Sequence, residues 1–380
     1  MRILFDLFGA QPEGNTKFHG GGEHIKTVLN KMLDLGYGSR LGVFYNYSKF
    51  IDDWLITKLQ DHMVKTYDVK SRDDIATILS NEQYDVFYSA LPYAYRAYQF
   101  PNNIIKIGTF HGLRPIEVPI DKYETLYFGG KTAVRVFITG LLPNREKNRQ
   151  IEYYRKSIEL FDEIICVSNH TRFAISNYYP EHAHKTTVFY SPAKYVNISD
   201  ATNSQPIIDG KYILLISVNR YEKNSYRALK AIDELLTRPE LEEYKVVTVG
   251  NLPSKIKKRL INTHRYVSLG YIETEELENL YCHCDFFIYP TLSEGFGTPP
   301  LEAMKYGKTC CVSAVTSLTE VCGNAAYYFN PYDIDEIKNR VLMAINKKID
   351  SQIVITHFEG IKMKQDKDLE NVANFVCDRR

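Results

Sequence analysis

Short apolar runs alternate with helical patterns along the whole of this chain, and few folds satisfy such an alternation. Strands separated by helices pair in parallel, with the helices covering the faces of the sheet. In the first half the strand candidates are residues 3–8, 41–45, 84–89, 104–110, 163–167 and 186–190, with helical patterns at 22–35 and roughly 121–160. Residues 191–210 (SPAKYVNISDATNSQPIIDG) carry Pro, Ser, Asn and Asp without hydrophobic periodicity and read as a linker. A second series follows, with strand candidates at 212–217, 245–249, 267–269, 286–289, 309–313 and 326–329 and helical patterns at 274–281 and 333–345. At 380 residues the chain exceeds the ~250 that one core holds. The fold class is therefore α/β, two doubly wound domains in tandem. They cover residues 1–195 and 205–348, followed by a charged helical tail, 349–380, that can cross back to the first domain. Ligands of open parallel sheets bind beyond the carboxyl ends of the strands, so the chemistry is sought in the loops that follow strands, at a cleft between the domains.

Composition narrows the partners. Lys plus Arg number 47 against 46 Asp plus Glu, a formal charge of +1, which offers no global attraction to nucleic acid. Seven cysteines, an odd number with Cys310 and Cys311 adjacent, fit reduced thiols better than a disulfide framework. Cys282-His283-Cys284 has no second ligand pair at a useful spacing, so no metal site is expected there. The opening MRILFDLFG lacks a basic leader and a small-residue cleavage site, and no run of about 18 apolar residues occurs. The expected location is cytoplasmic, with peripheral contact at the inner face of the membrane as a further reading.

The most informative stretch is residues 289–307, YPTLSEGFGTPPLEAMKYG. It leaves a strand, passes two glycines and enters a helix that Thr298 is placed to cap, with Pro299 near its first position. Gly295 and Gly297 let backbone approach a ligand, and the helix start offers free N–H groups to a phosphate. Glu294 in the loop and Glu302 in the first turn are placed to accept hydroxyl hydrogen bonds from one molecule. A helix with two solvated glutamates is the plainer reading, but glycines, cap and E-x7-E spacing together favour a site. The second constellation is SVNRYEKN, residues 217–224, directly after the run YILLIS. Arg220 and Lys223 at a strand's carboxyl end can hold a diphosphate and neutralise a leaving group.

SVNRYEKN and SEGFGTPPLEAMKYG resemble the donor-site motifs of the retaining glycosyltransferases of family four, including its E-x7-E motif. The resemblance is similar in kind to mannosyltransferase-type members, close over 212–331 and loose in the first half. It implies a GT-B fold of two Rossmann-like domains facing a central cleft. It also implies transfer of a hexose from a GDP- or UDP-linked nucleotide sugar to a glycan or lipid-linked acceptor, with retention and without metal or other cofactor. Carried onto this sequence, Arg220 and Lys223 bind the diphosphate and Glu294 contacts the transferred sugar, with Gly295, Phe296, Gly297 and Thr298 nearby. Glu302 binds the ribose hydroxyls, and the loop with Tyr271 and Ile272 holds the base. In the first domain, HGGGEH (residues 19–24) follows a loop and opens a helix where the family places a glycine-rich loop, which implies that Gly21 and Gly22 meet donor phosphate, and His111 matches a cleft histidine beside the sugar. Asn219 stands where many members have glycine, and the interval from Arg220 to Lys223 is short, which makes Lys223 the less secure assignment.

The acceptor side is less defined. Residues 131–156 carry Lys131, Arg135, Arg145, Lys147, Arg149, Arg155 and Lys156 among apolar Val134, Val136, Phe137, Ile138, Leu141 and Leu142, against Glu146 and Glu152. Such a stretch either meets an anionic membrane or lipid-diphosphate acceptor, or is a solvated face flanking core residues. The competing function is a catalytically inactive sugar-nucleotide-binding subunit, which would be expected to have lost a charged donor residue. An epimerase would need carboxylates and histidines set to remove a carbon-bound proton, and no such set is evident.

Overall fold

A computed structural model describes residues 1–12, 20–119, 121–193 and 201–378. His19 and part of the linker, residues 194–200, lie outside the described residues. The chain divides into two compact units. The first comprises Met1–Leu113, Arg149–Lys194 and Met363–Arg380, and the second comprises Arg114–Asn148 and Tyr195–Lys362.

In the first unit seven strands form one wholly parallel sheet. They are β1 (Ile3–Asp6), β2 (Leu41–Tyr45), β3 (Lys65–Asp68), β4 (Val86–Ser89), β5 (Ile105–Phe110), β6 (Glu163–Cys166) and β7 (Thr186–Val188). Their order, β3-β2-β1-β4-β5-β6-β7, places the topological switch between β1 and β4, where Ile3 faces both Leu41 and Val86. The helix Gly20–Asp34 buries Ile25, Val28, Leu29, Met32 and Leu33, the i, i+3, i+4, i+7, i+8 stripe of a helix laid on a sheet. β3 is absent from the sequence reading. Its residues KTYD sit on the sheet edge with little buried, so no apolar alternation marks them.

The second unit carries a six-stranded parallel sheet, ordered β10-β9-β8-β11-β12-β13. Its strands are β8 (Tyr212–Ile216), β9 (Lys245–Val249), β10 (Tyr266–Leu269), β11 (Phe286–Tyr289), β12 (Cys310–Ser313) and β13 (Ala326–Phe329). Here the switch lies between β8 and β11, paired through Ile213 with Phe286 and Leu214 with Phe287.

Two expectations change. The first domain, read as 1–195, gives Arg114–Asn148 to the second unit. Leu126 joins the second unit's core, the Tyr123 ring packs 4.9 Å from Tyr226, and Tyr127 Oη lies 3.0 Å from Ser225 Oγ. Arg227 also donates to Asp121 at 2.5 Å. In addition, the helical stretch over 121–160 is two helices, Gly130–Gly140 and Pro143–Leu160, because Pro143 cannot continue the first and instead opens the second. The tail is one helix, Ser351–Cys377, whose residues from Met363 onward belong to the first unit. There Val372, Ala373, Val376 and Cys377 enter the first unit's core, and Asp368 accepts from the Tyr190 amide at 2.8 Å.

Candidate functional site

The pairing of β8 with β11 makes neighbours of the loops that leave their carboxyl ends, although about 70 residues separate them in the chain. The two loops are joined through their backbones. The Leu292 amide donates to Glu222 O at 2.8 Å, and Thr291 Oγ1 lies 3.0 Å from the same carbonyl. Asn224 completes the junction. It takes the left-handed conformation at φ 53°, tolerable for Asn, at the start of helix Ser225–Leu235. Its Nδ2 donates to Pro290 O at 3.0 Å and to Pro331 O at 2.8 Å, tying the loops after β8, β11 and β13 together.

At this junction Lys223 Nζ lies 2.5 Å from Glu294 Oε1 and 2.6 Å from Tyr289 Oη. Tyr289 and Thr291 each donate to the same Oε1 at 2.8 Å. With three donors on Oε1, Oε2 has no hydrogen-bond partner among the described residues. Lys223 and Glu294 are both only 7% exposed, so each charge depends on the other. Burial alone would raise the Glu294 carboxyl, but Lys223 and Arg114 outweigh it and hold the group down at about 2. Burial pulls the Lys223 ammonium below its usual range, and Glu294 opposes that pull.

Arg220 donates to Glu222 Oε1 through Nε at 3.0 Å and Nη2 at 2.5 Å, and lies near enough to Glu294 for that charge to favour its guanidinium. Arg114 approaches the same Glu222 oxygen at 3.5 Å, while its buried Nε–H has no acceptor among the described residues. Three cations thus gather against two carboxylates, an arrangement able to accept an anion. Arg114 escaped sequence analysis because it follows the His111 segment and carries no spacing signal of its own. Tyr289, Thr291 and Asn224 lay inside the quoted motifs, but only their contacts reveal their part.

The loop Glu294–Gly297 is also held from the side of β12. Thr316 Oγ1 accepts from the Glu294 amide at 3.0 Å, and Ser317 Oγ donates to Phe296 O at 2.8 Å with Glu294 O also within reach at 3.0 Å. The seven-residue helix begins at Thr298 but is capped by Gly297, not by the Thr298 side chain as expected. Gly297 has φ 98°, and a Cβ there would meet Leu318 Cδ2 at 2.5 Å, so glycine is required. One turn on, burial raises the Glu302 carboxyl to about 7, with the Tyr281 hydroxyl opposing and Glu278 adding to the rise. Lys305 and Tyr306 both donate to the buried Glu278 at 2.5 Å, anchoring this helix end to helix Thr274–His283.

Tyr271 and Ile272 follow β10, two strands from β8 in the sheet. Tyr271 is 74% exposed. The Gly250 amide, after β9, donates to Leu269 O and Gly270 O at 3.0 and 3.1 Å, setting this loop in line with those after β9 and β8. The remaining candidates lie in the first unit. Gly21 and Gly22 lie in the first turn of helix Gly20–Asp34, which HGGGEH was read as opening. His111 follows β5, its amide accepted by Tyr93 Oη at 3.0 Å. Its ring meets that of His24 edge-on, with centroids 4.7 Å apart, and His24 Nδ1 lies 3.2 Å from Ser191 Oγ. His24 was quoted only as part of HGGGEH. Its burial, and then the neighbouring His111, push it well below the usual histidine range.

Two Rossmann-like units, the second with a charged loop cluster at its switch point, make a fold of the GT-B kind. Residues 199–357 match the family model described as glycosyl transferases group 1. It is 24% identical over 387 residues to the serotype-specific mannosyltransferase WbdA of Escherichia coli, covering 89% of this chain but 43% of WbdA. The chain thus spans less than half the length of that relative. The O-antigen chain mannosyltransferase B of Escherichia coli is 39% identical over 103 residues, 27% of this chain and 26% of that protein. Among solved structures, sucrose-phosphate synthase from Thermosynechococcus elongatus superposes with a TM-score of 0.68 at 15% identity, over 98% of this chain and 96% of that one. At that identity the likeness speaks to the fold.

Proposed function

We propose that this chain transfers a hexose, mannose in our reading, from a guanosine- or uridine-diphosphate sugar to a glycan or lipid-linked acceptor in polysaccharide synthesis. The names of WbdA and mannosyltransferase B support the sugar and the polymer. The observation that carries the reading is the contact between Lys223 and Glu294, with Arg220 beside it, where β8 and β11 part. In this reading Arg220 and Lys223 bind the diphosphate and take up the negative charge that grows on it as the sugar leaves. Glu222 is already shared by Arg220 and Arg114, so an incoming phosphate competes with a carboxylate for those forks. The unpartnered Oε2 of Glu294 accepts from the sugar, Glu302 from the ribose, and Tyr271 and Ile272 flank the base. Retention of configuration and independence of divalent metal belong to the same proposal, because the cations supply the charge a metal would bring.

The presence of Arg220, Lys223, Glu294, Glu302 and His111 together favours an enzyme over an inactive binding subunit. A panel of nucleotide sugars, read by thermal shift and by release of nucleoside diphosphate, tests the proposal. One donor is expected to be consumed, at the same rate in excess chelator, giving a product whose anomeric proton matches the donor's configuration by NMR. Nucleotide binding without turnover of any donor would instead make the chain a binding subunit.

A further inference from the structure

Helix Gly130–Gly140 buries none of its residues. Along it and just past its end, Val134, Phe137, Ile138 and Leu141 fall at i, i+3, i+4 and i+7, one stripe of the helix surface, and Leu142 extends it. Their exposures run from 54% to 63%. Single exposed apolar residues are ordinary, but five large ones in one stripe are not, and they mark a surface that meets something. Lys131 and Arg135 flank one side of the stripe, and Arg145 and Lys147 follow in the next turns, against Glu146 alone over 130–148. Lys131, Arg135 and Arg145 form no ion pair among the described residues. An apolar stripe bordered by basic side chains complements a surface with negative charge outside and hydrocarbon beneath. A second copy of this chain would bring like charges together, which disfavours that occupant.

We infer that the stripe Val134–Phe137–Ile138–Leu141, with Lys131, Arg135 and Arg145, docks this chain on an anionic lipid bilayer. Phe137 and Ile138 enter the acyl boundary while the basic heads reach the headgroups. No helix among the described residues is long and apolar enough to cross a membrane, so the contact is with one leaflet. The inference does not rest on the proposed transfer activity, and its test needs no turnover.

The test is co-sedimentation of the full chain with vesicles of equimolar phosphatidylglycerol and phosphatidylcholine, and with phosphatidylcholine alone. The chain is expected to pellet with the mixed vesicles and largely to remain in solution with the neutral ones. Raising salt from about 0.1 M to about 1 M, which shortens the Debye length from about 10 to about 3 Å, should release most of it. Lys131→Ala with Arg135→Ala should weaken binding about 25-fold, at roughly fivefold per basic residue. Phe137→Ser with Ile138→Ser should abolish it, with the thermal midpoint unchanged because both side chains are exposed. The inference is overturned if the wild type stays in solution, if binding ignores lipid charge and salt, or if the variants bind as the wild type does. It is equally overturned if sedimentation velocity shows a dimer that Phe137→Ser dissociates while vesicles capture nothing.

Discussion

Glu294 keeps its charge where water is largely excluded, and it does so through Lys223, Tyr289 and Thr291. Glu294→Ala would strand the Lys223 ammonium in that site, so it should cost about 3–5 kcal/mol of stability in denaturant unfolding. It should also lower transfer about 100-fold. Pairing Glu294→Gln with Lys223→Met should recover most of the stability and none of the rate, which separates the two effects. The pH profile follows from the same pair. A carboxyl held at about 2 in the folded chain, against about 4.3 unfolded, contributes stability that is full above the unfolded value and is lost as pH falls toward 2. The urea midpoint of Glu294→Gln should therefore fall less steeply with acid over that window than the wild type's. Glu302 runs in the opposite sense. Raised to about 7 by burial, it is protonated below that pH and then accepts fewer hydroxyl hydrogen bonds. Donor affinity measured by calorimetry should weaken below about pH 7, and the Glu302→Gln profile should be flat there.

At the scale of elements, the loop after β11 depends on one backbone angle. Gly297 caps helix Thr298–Met304 at φ 98°, and an added methyl both strains that angle and strikes Leu318. Gly297→Ala should lower stability by about 1–2 kcal/mol from the angle alone and impair transfer by shifting Glu294, measurable as paired losses in thermal midpoint and rate. The motif's glycines, Glu294 and Glu302 were legible because a strand, a glycine turn and a helix start leave a local signature. Thr298 was misread as the cap because Thr and Gly both suit a helix start, and only the observed angles choose between them. The helix opened by the triple glycine was read from Gly22 and begins two residues earlier, at Gly20. Arg114 was not legible at all, since nothing local distinguishes it from a surface arginine.

On the scale of the whole molecule, the chain leaves and re-enters each unit. The first unit takes its last core residues from helix Ser351–Cys377, where Val372 and Val376 are buried against β1, β2 and their helices. Deleting residues 363–380 should remove at least about 3 kcal/mol, from these two valines alone, and expose the first unit to limited proteolysis. Unchanged protease resistance in that variant would contradict the assignment of the helix end. Conversely, residues 114–148 lie within the sequence span of the first domain yet belong to the second unit, through Leu126, Tyr123 and Tyr127.

What the sequence determined by itself depends on near neighbours: the period of most strands and helices, the two series, and the two charged loops with their glycines. These features arise from sterics and side-chain alternation over a few residues, so they can be read without coordinates. The tertiary structure alone decided which loops meet. β8 and β11 pair across about 70 residues, and only that pairing sets Lys223 on Glu294, places Asn224 between three loops and brings Arg114 to Glu222. Such contacts are settled by how helices and strands bury their shared apolar faces, a competition over the whole chain that no local spacing records.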